Sequence, residues 1–291
     1  MKNRAGFNNL LKNSGYILTG NAMGSVFGLL VTMLLARQFG PEKLGALALM
    51  QAFIMTVRSF FGAQSWQAIV KFGVVFFDKA RSEEFFRVVR TVLFIETSIV
   101  LAGGVFAVAG ATFFSHAWGL PAEYAGLGVL YCFTIFLKFD NFFSGIIQLF
   151  NRFKLVSYFT AVTAAIRLVF VLAIFLTDLS FERSVYLLIT WEALSNLAFS
   201  IMGMWVYRQE TGESLLRLAG RREGPGLFRD IASFLAPLWT WSTLRMLPRE
   251  LDVFILGVLT NTYSVGQYKV VKQFASVLLK LHTPLHQAIF P

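Results

Sequence analysis

Long apolar segments alternate with short polar ones along most of the chain. Each apolar segment is close to the roughly 20 residues that a helix needs to cross a bilayer. No part of the chain shows the regular apolar and polar alternation that is typical of transmembrane β-strands. The pattern predicts eight transmembrane helices, at Tyr16–Ala36, Gly45–Val70, Thr91–Phe114, Glu123–Phe143, Leu155–Thr177, Val185–Val206, Ile231–Leu259 and Val265–Ala288.

The polar interruptions predict how these helices are grouped. Most are short and carry Gly, Pro or charge, as turns do. One is long, from Arg208 to Asp230. We therefore predict a six-helix N-terminal lobe over residues 1–207, a linker over 208–230, and the first two helices of a second lobe over 231–291.

The sequence predicts that the second lobe repeats the first. The segment LLARQFGPEKLGAL (Leu34–Leu47) and the segment ILGVLTNTYSVGQY (Ile255–Tyr268) each combine a helix end, a short polar loop and a new helix. Six helices separate the copies, so both keep the same orientation. Such parallel repeats are found in transporters, with the substrate site between the halves. We therefore expect about four further helices of the second lobe to be missing, through truncation or a split gene.

Composition and charge place the chain in a membrane and orient it. Hydrophobic residues make up 56% of the chain and charged residues only 14%, against roughly a quarter charged in soluble domains. Cytoplasmic loops are enriched in Lys and Arg. Alternate loops hold fifteen of them and the opposite loops three, which predicts a cytoplasmic N-terminus. This asymmetry accounts for most of the net charge of +10 without nucleic acid as a partner.

Several charges fall inside the predicted helices, where each costs several kcal/mol and indicates a functional site. Arg58 and Arg167 lie halfway along their helices without a local partner. Cations outnumber carboxylates, which predicts a positive cavity for an anionic ligand, and Arg suits phosphate oxygens. The predicted substrate-binding residues are Arg58, Arg167, Arg245, Arg249 and Lys272.

A structural role for some of these charges stays open. Arg249 with Asp252, and Lys138 with Asp140, could instead be ion pairs that lock helices together.

No enzyme motif is present. The sequence holds no HExxH, G-x-S-x-G, P-loop or Gly-rich dinucleotide turn. The single cysteine, Cys132, permits no intramolecular disulfide and no metal cluster. We therefore predict neither catalysis nor a metal or other cofactor.

Three segments resemble one known family. They are YILTGNAMGSVFGLLVTMLLARQFGPEKLGALAL, DNFFSGIIQLFNRFKLVSY and DVFILGVLTNTYSVGQYKVVKQF, at Tyr16–Leu49, Asp140–Tyr158 and Asp252–Phe274. They resemble the bacterial polysaccharide transporters, which flip O-antigen and other lipid-linked oligosaccharides. These belong to the multidrug/oligosaccharidyl-lipid/polysaccharide exporter superfamily.

The resemblance implies a mechanism. Two six-helix lobes would flank a central cationic cavity that opens alternately to either side of the inner membrane. The ligand would be an undecaprenyl-diphosphate-linked oligosaccharide, with polysaccharide polymerase or ligase machinery as further partners. Asp252 or Glu192 would couple transport to an ion gradient.

Three other functions remain open. A cation-coupled multidrug antiporter of the same fold would need an anionic cavity, which the excess of cations argues against. A membrane-embedded glycosyltransferase would need an acidic catalytic loop, and the predicted outer loops are only a few residues long. An inactive scaffold is the third alternative.

Overall fold

The computed structural model describes residues 2–62, 64–78, 82–114, 119–215 and 226–289, with the backbone alone at 2–19, 21, 78, 82, 114, 246–250 and 278–289. These residues are almost entirely helical, and none of them lies in a strand. The helices are α1 (Lys2–Phe60), α2 (Ser65–Asp78), α3 (Ser82–Phe114), α4 (Ala125–Cys132), α5 (Asp140–Leu149), α6 (Phe153–Leu176), α7 (Phe181–Thr211), α8 (Leu227–Leu259) and α9 (Thr262–Ile289).

The first two predicted helices are joined by a kink rather than a loop. Gly40 adopts φ 75° and ψ 173° within α1, a conformation that glycine adopts without steric cost. Pro41 follows it, where the fixed φ of proline suits the first turn of a new helix. The helix therefore reverses direction at Gly40 with only one non-helical residue.

Two of the predicted helices are broken inside the membrane span, which corrects their predicted bounds. The segment predicted at Gly45–Val70 ends as α1 at Phe60 and resumes as α2 at Ser65. The segment predicted at Glu123–Phe143 consists of α4, a 3₁₀ turn over Phe133–Leu137, and α5, which runs on to Leu149.

The chain is an all-α polytopic membrane protein, as predicted. Five stretches of the described residues are long and apolar enough to cross a membrane. Their outer faces carry exposed apolar side chains, such as Phe113 at 78% and Leu176 at 73% exposure. Such faces are stable in a bilayer and would be costly in water.

The helix connections collect at two ends of the bundle. At one end, called the kink end, the kink at Gly40 lies beside the start of α7, because the rings of Phe39 and Phe181 are in contact. At the other end, called the linker end, Arg152 before α6 forms an ion pair of 2.6 Å with Glu210 near the end of α7. The functional cavity lies between these two ends.

The kink-end contact between α1 and α9 has a reciprocal form. Gly45 packs directly on the backbone of Thr262, and Gly266 packs on that of Pro41. Pro41 and Thr262 are separated by the same number of residues as Gly45 and Gly266. A two-fold axis between two copies produces this kind of exchanged contact. The division into two lobes with a linker stays a prediction.

Candidate functional site: a polar cavity between α1, α6, α7 and α9

A cavity of about 590 Å³ lies in the middle of the bundle. Its walls come from α1, α4, α6 and α7, with α9 on the remaining side. The glycines of α1 at positions 24 and 28 let neighbouring side chains approach the helix: a Cβ on Gly28 would lie 3.1 Å from Gln273 Nε2. The residues that line the cavity are Gly24, Gly28, Val31, Thr32, Gln51, Ile54, Met55, Tyr131, Lys138, Thr160, Thr163, Ala164, Arg167, Leu188, Trp191, Glu192, Ser195, Lys269 and Gln273.

The charged side chains of the cavity are predominantly cationic. Lys138, Arg167 and Lys269 line it, against the single carboxylate of Glu192. Glu192 is engaged by two partners: Tyr131 Oη donates to it at 2.7 Å, and Lys138 Nζ lies 3.4 Å away. Arg167 and Lys269 bring two further positive charges to the same space. The cavity therefore favours an anionic ligand.

Several buried polar atoms at the cavity wall lack a hydrogen-bond partner among the described residues. They are Arg167 Nε on α6 and Ser195 Oγ on α7, and Asn196 Nδ2 on α7 lies just outside the cavity. The guanidinium and amide nitrogens are donors, and the serine hydroxyl can donate as well. Unsatisfied buried donors cost about 1–3 kcal/mol each, so they indicate a ligand that carries oxygen acceptors.

The remaining lining of the cavity combines polar and apolar side chains. Thr160 and Thr163 of α6, with Gln51 and Gln273, contribute hydroxyl and amide groups. Trp191 supplies an apolar ring, whose centroid lies 5.1 Å from that of Phe170. Ligand sites commonly combine apolar walls with a few placed polar groups of this kind.

A second groove of about 300 Å³ continues the cavity sideways between α5, α6 and α7. It shares Lys138, Thr160, Thr163 and Ser195 with the cavity, and Phe159 and Phe199 form its apolar part. Their rings lie 5.2 Å apart and bridge α6 to α7.

Of the predicted arginines whose side chains the structure describes, Arg167 alone lines the cavity. Arg58 instead binds Asp140 through two contacts of 2.7 and 2.9 Å, and it is not among the cavity residues. Arg58 therefore has no partner close to it in the sequence, as expected, but it has a distant one across the fold. The reason is that Asp140 begins α5, a different helix, which folding brings beside the end of α1.

The predicted residues of α8 do not share this cavity in the part of the chain that the structure describes. Arg245 is exposed. The side chain of Arg249 lies outside the described residues, so its contact with Asp252 is not described either. The prediction that four arginines converge stays a prediction for Arg249.

Lys272 and Asp252 form a pair of their own. Lys272 Nζ lies 2.8 Å from Asp252 Oδ1, and Tyr268 Oη donates to Asp252 Oδ2 at 2.5 Å. Neither Lys272 nor Asp252 lines the cavity. The suggested pair of Lys138 with Asp140 is wrong as well, because Lys138 turns to Glu192 and Asp140 to Arg58.

Sequence reasoning missed the hydroxyl and amide groups of α6 and α7. A signal was available: Thr160, Thr163 and Arg167 are spaced three and four residues apart, which puts them on one helical face. On α7, Ser195 and Asn196 follow Glu192 by three and four residues, which again puts them beside it on one helical face. A polar stripe on an apolar helix predicts a cavity-facing surface.

Comparison with known proteins agrees with the geometry. Residues 10–291 match the model of a family described as polysaccharide biosynthesis protein. The chain is also 23% identical over 279 residues to the inner membrane protein YghQ of Escherichia coli (strain K12), an alignment that covers 92% of this chain and 75% of that protein. No solved structure matches the chain.

Proposed function

Since the chain belongs to the polysaccharide biosynthesis protein family, we propose that it moves a polyprenyl-diphosphate-linked oligosaccharide across the cytoplasmic membrane by alternating access. The expected ligand is of the undecaprenyl diphosphate type. Its negative charge and its many hydroxyl groups are the two properties that the cavity has to recognise.

The observation that carries this proposal is the chemistry of the cavity wall. Three cations face one carboxylate there, and Arg167 and Ser195 of the cavity, with Asn196 of the side groove, hold buried polar atoms without partners among the described residues. A diphosphate supplies oxygen acceptors to such donors, and charge-assisted bonds to phosphate are roughly twice as strong as neutral ones. A cationic drug would instead be repelled by Lys138, Arg167 and Lys269.

The two chemical parts of the ligand then have different partners. The diphosphate lies near Arg167, whose planar fork matches phosphate oxygens. The sugars lie against Trp191 and the hydroxyl and amide groups of α6 and α7, with room to extend into the side groove. The lipid chain stays in the bilayer.

Orientation and energy supply complete the proposal. The loops at the linker end face the cytoplasm, in agreement with their excess of Lys and Arg. At the kink end, Gly45 and Gly266 pack on the opposite backbone, and in the proposed mechanism this contact opens when the substrate leaves. Glu192, at the cavity, and Asp252, on α8, are the carboxylates proposed to couple an ion gradient. Polymerase or ligase enzymes would use the product on the far side.

Deletion of the gene in its native host tests the proposal. We expect lipid-linked saccharide precursors to accumulate and the corresponding surface polysaccharide to be lost, and the wild-type gene to restore both. Precursors are quantified by mass spectrometry of lipid extracts, and the polysaccharide by gel electrophoresis.

The same strain separates this function from the drug antiporter. Greater sensitivity to cationic dyes with normal precursor levels would contradict the proposal and support drug efflux. Unchanged precursors, polysaccharide and drug sensitivity would contradict both functions.

A further inference from the structure

Three other helices, α3, α5 and α8, have polar groups at the break between α1 and α2. α1 ends at Phe60 and α2 begins at Ser65, and between them Gln64 adopts φ 50°. A broken helix leaves carbonyl and N–H groups without intrahelical partners. Inside a membrane these groups must be satisfied by other parts of the protein.

The carbonyl groups at the break are bound by α8. Thr243 Oγ1 donates to the Ser59 carbonyl at 2.8 Å, and Trp239 Nε1 donates to the Phe60 carbonyl at 2.5 Å. α8 lies beyond the predicted linker, so these two hydrogen bonds connect the two predicted lobes at mid-span. We call this pair of hydrogen bonds the α8 clasp.

A buried carboxylate lies on the other side of the break. Glu96 of α3 is only 2% exposed, and the Ser65 hydroxyl at the start of α2 donates to it. The N–H of Phe142, in the first turn of α5, is directed at the same carboxylate. Arg58 and Asp140, which bind each other, are the charged groups that act on it.

Opposing influences act on the charge of Glu96. Burial without an ion pair from any described side chain favours the neutral acid, because a bare charge costs several kcal/mol in the membrane interior. Ser65, the Phe142 N–H and the positive end of α5 favour the anion. A carboxyl group held between such influences can change state with a modest change in its surroundings.

The ligand that fits this site is a proton rather than a metal ion. The hydroxyl of Ser65 and the N–H of Phe142 are donors aimed at Glu96, whereas hard cations require several oxygen ligands. No group of three metal-binding side chains occurs among the described residues. Asp140 opens into the side groove, with 41% of its side chain exposed, and gives water access close to Glu96.

We propose that Glu96 is a proton-binding site that controls the α8 clasp through the break between α1 and α2. As an anion, Glu96 attracts Arg58 and Ser65 from the two sides of the break and holds the Ser59 and Phe60 carbonyls towards α8. A proton from water adds to one carboxylate oxygen, and no other covalent bond changes. Arg58 is then attracted by Asp140 alone, and the two hydrogen bonds of the α8 clasp weaken. This adds a coupling site to the proposed transport function.

The test measures the distance between the lobes as pH varies, without any substrate. Spin labels are placed at Arg87→Cys and Arg229→Cys, both exposed near the linker end, in a Cys132→Ala background. Double electron–electron resonance in lipid nanodiscs should give a distance distribution that changes with pH. Glu96→Gln should show the acidic distribution at every pH.

Further variants test each step. Ser65→Ala removes a hydrogen bond to the anion and should raise the midpoint of the transition by about one pH unit. Thr243→Val removes half of the clasp and should populate the acidic distribution already at neutral pH. Thr240→Val is the matched control, because Thr240 Oγ1 bonds only to Ala236 O in its own helix, and it should behave like the wild type.

Three results would overturn the proposal. They are a wild-type distribution that does not respond to pH, a Glu96→Gln protein that titrates like the wild type, and a response to sodium at fixed pH in place of the pH response. If Glu96→Gln does not fold, Ser65→Ala and Thr243→Val still decide the outcome. Since no substrate is used, failure here leaves the proposed transport function intact.

Discussion

Charged side chains in the described spans mostly meet an opposite charge from another helix. Arg58 binds Asp140, Lys138 binds Glu192, and the partners are 82 and 54 residues apart in the chain. Such pairing reduces the cost of charge in the membrane interior. Arg167 also acts electrostatically on Glu192 of α7, but its buried Nε has no hydrogen-bond partner among the described residues.

Replacement of Arg167 should impair transport more than it impairs folding. Arg167→Ala should lower the transport rate about tenfold or more, because a hydrogen bond to a charged group contributes about 1.5–3 kcal/mol. Arg167→Lys should recover part of the rate, since lysine keeps the charge and loses the fork. The measurement is precursor export in the complemented deletion strain, with expression checked by immunoblot.

Arg37→Ala serves as the matched control for Arg167, because Arg37 is exposed near the kink end of α1. It should export precursors at the wild-type rate. An Arg167→Ala protein that is well expressed and exports normally would make Arg167 a structural residue and remove the main support for an anionic ligand.

Substitutions of Lys138 and Glu192 should have strongly non-additive effects on the free energy of unfolding. Their side chains are only 13% and 23% exposed, so removal of one partner leaves the other charge buried at a cost of about 3–5 kcal/mol. Lys138→Met should therefore destabilise the protein more than Lys138→Met combined with Glu192→Gln does. Reversible unfolding in detergent gives the free energy of unfolding of the single and double variants. Additive effects of the two changes would show that the pair does not interact.

Sequence reasoning at the residue scale identified which positions are charged but not which charges meet. Lys138 and Asp140 are two residues apart, yet the chain passes between them from a 3₁₀ turn into α5, so they point to different partners. Pairing across helices depends on packing, which the spacing within one helix does not encode.

At the scale of the helices, hydropathy predicted that long apolar helices make up the chain but not where those helices are interrupted. An apolar window of 20 residues looks the same whether or not the helix is broken within it. Local signals were present at both breaks. Gly62, Gln64 and Ser65 place small and polar groups in mid-span, and Lys138 and Asp140 flank the second break. In membrane transporters such interruptions mark functional sites.

The reciprocal contact at the kink end predicts which glycines tolerate a side chain. Gly45→Ala and Gly266→Ala each place a methyl group in the opposite backbone and should destabilise the protein by about 1–3 kcal/mol. Gly126→Ala is the control, since no neighbouring atom lies within 4 Å of its added Cβ. Thermal unfolding in detergent is the measurement. Equal stability of all three variants would show that α1 and α9 do not pack as described.

For the whole molecule, charge asymmetry predicts the orientation. An enzyme that is active only in the periplasm should be active when fused after Ala122 and silent when fused after Arg221, because Lys and Arg concentrate in the loops on the Arg221 side. Alkaline phosphatase activity, normalised to fusion-protein level, measures this. Activity after Arg221 would contradict the assigned orientation.

The overall class of the protein followed from composition and hydropathy, whereas the cavity did not. The cavity exists because α1, α6, α7 and α9 meet around Thr160, Trp191 and Gln273, and no single segment indicates that arrangement. The repeated motif predicted that the segments around Gly45 and Gly266 are related, which stays a prediction. It did not predict that they touch each other.

The central claim is that this protein carries the saccharide from the inner to the outer leaflet. The most direct measurement is the fraction of radiolabelled lipid-linked saccharide that membrane-impermeant periodate oxidises in intact spheroplasts, with and without the protein. We predict that this fraction falls sharply in the deletion strain and returns with the wild-type protein but not with Arg167→Glu. An oxidised fraction that is the same in the deletion strain and the wild type would contradict the account.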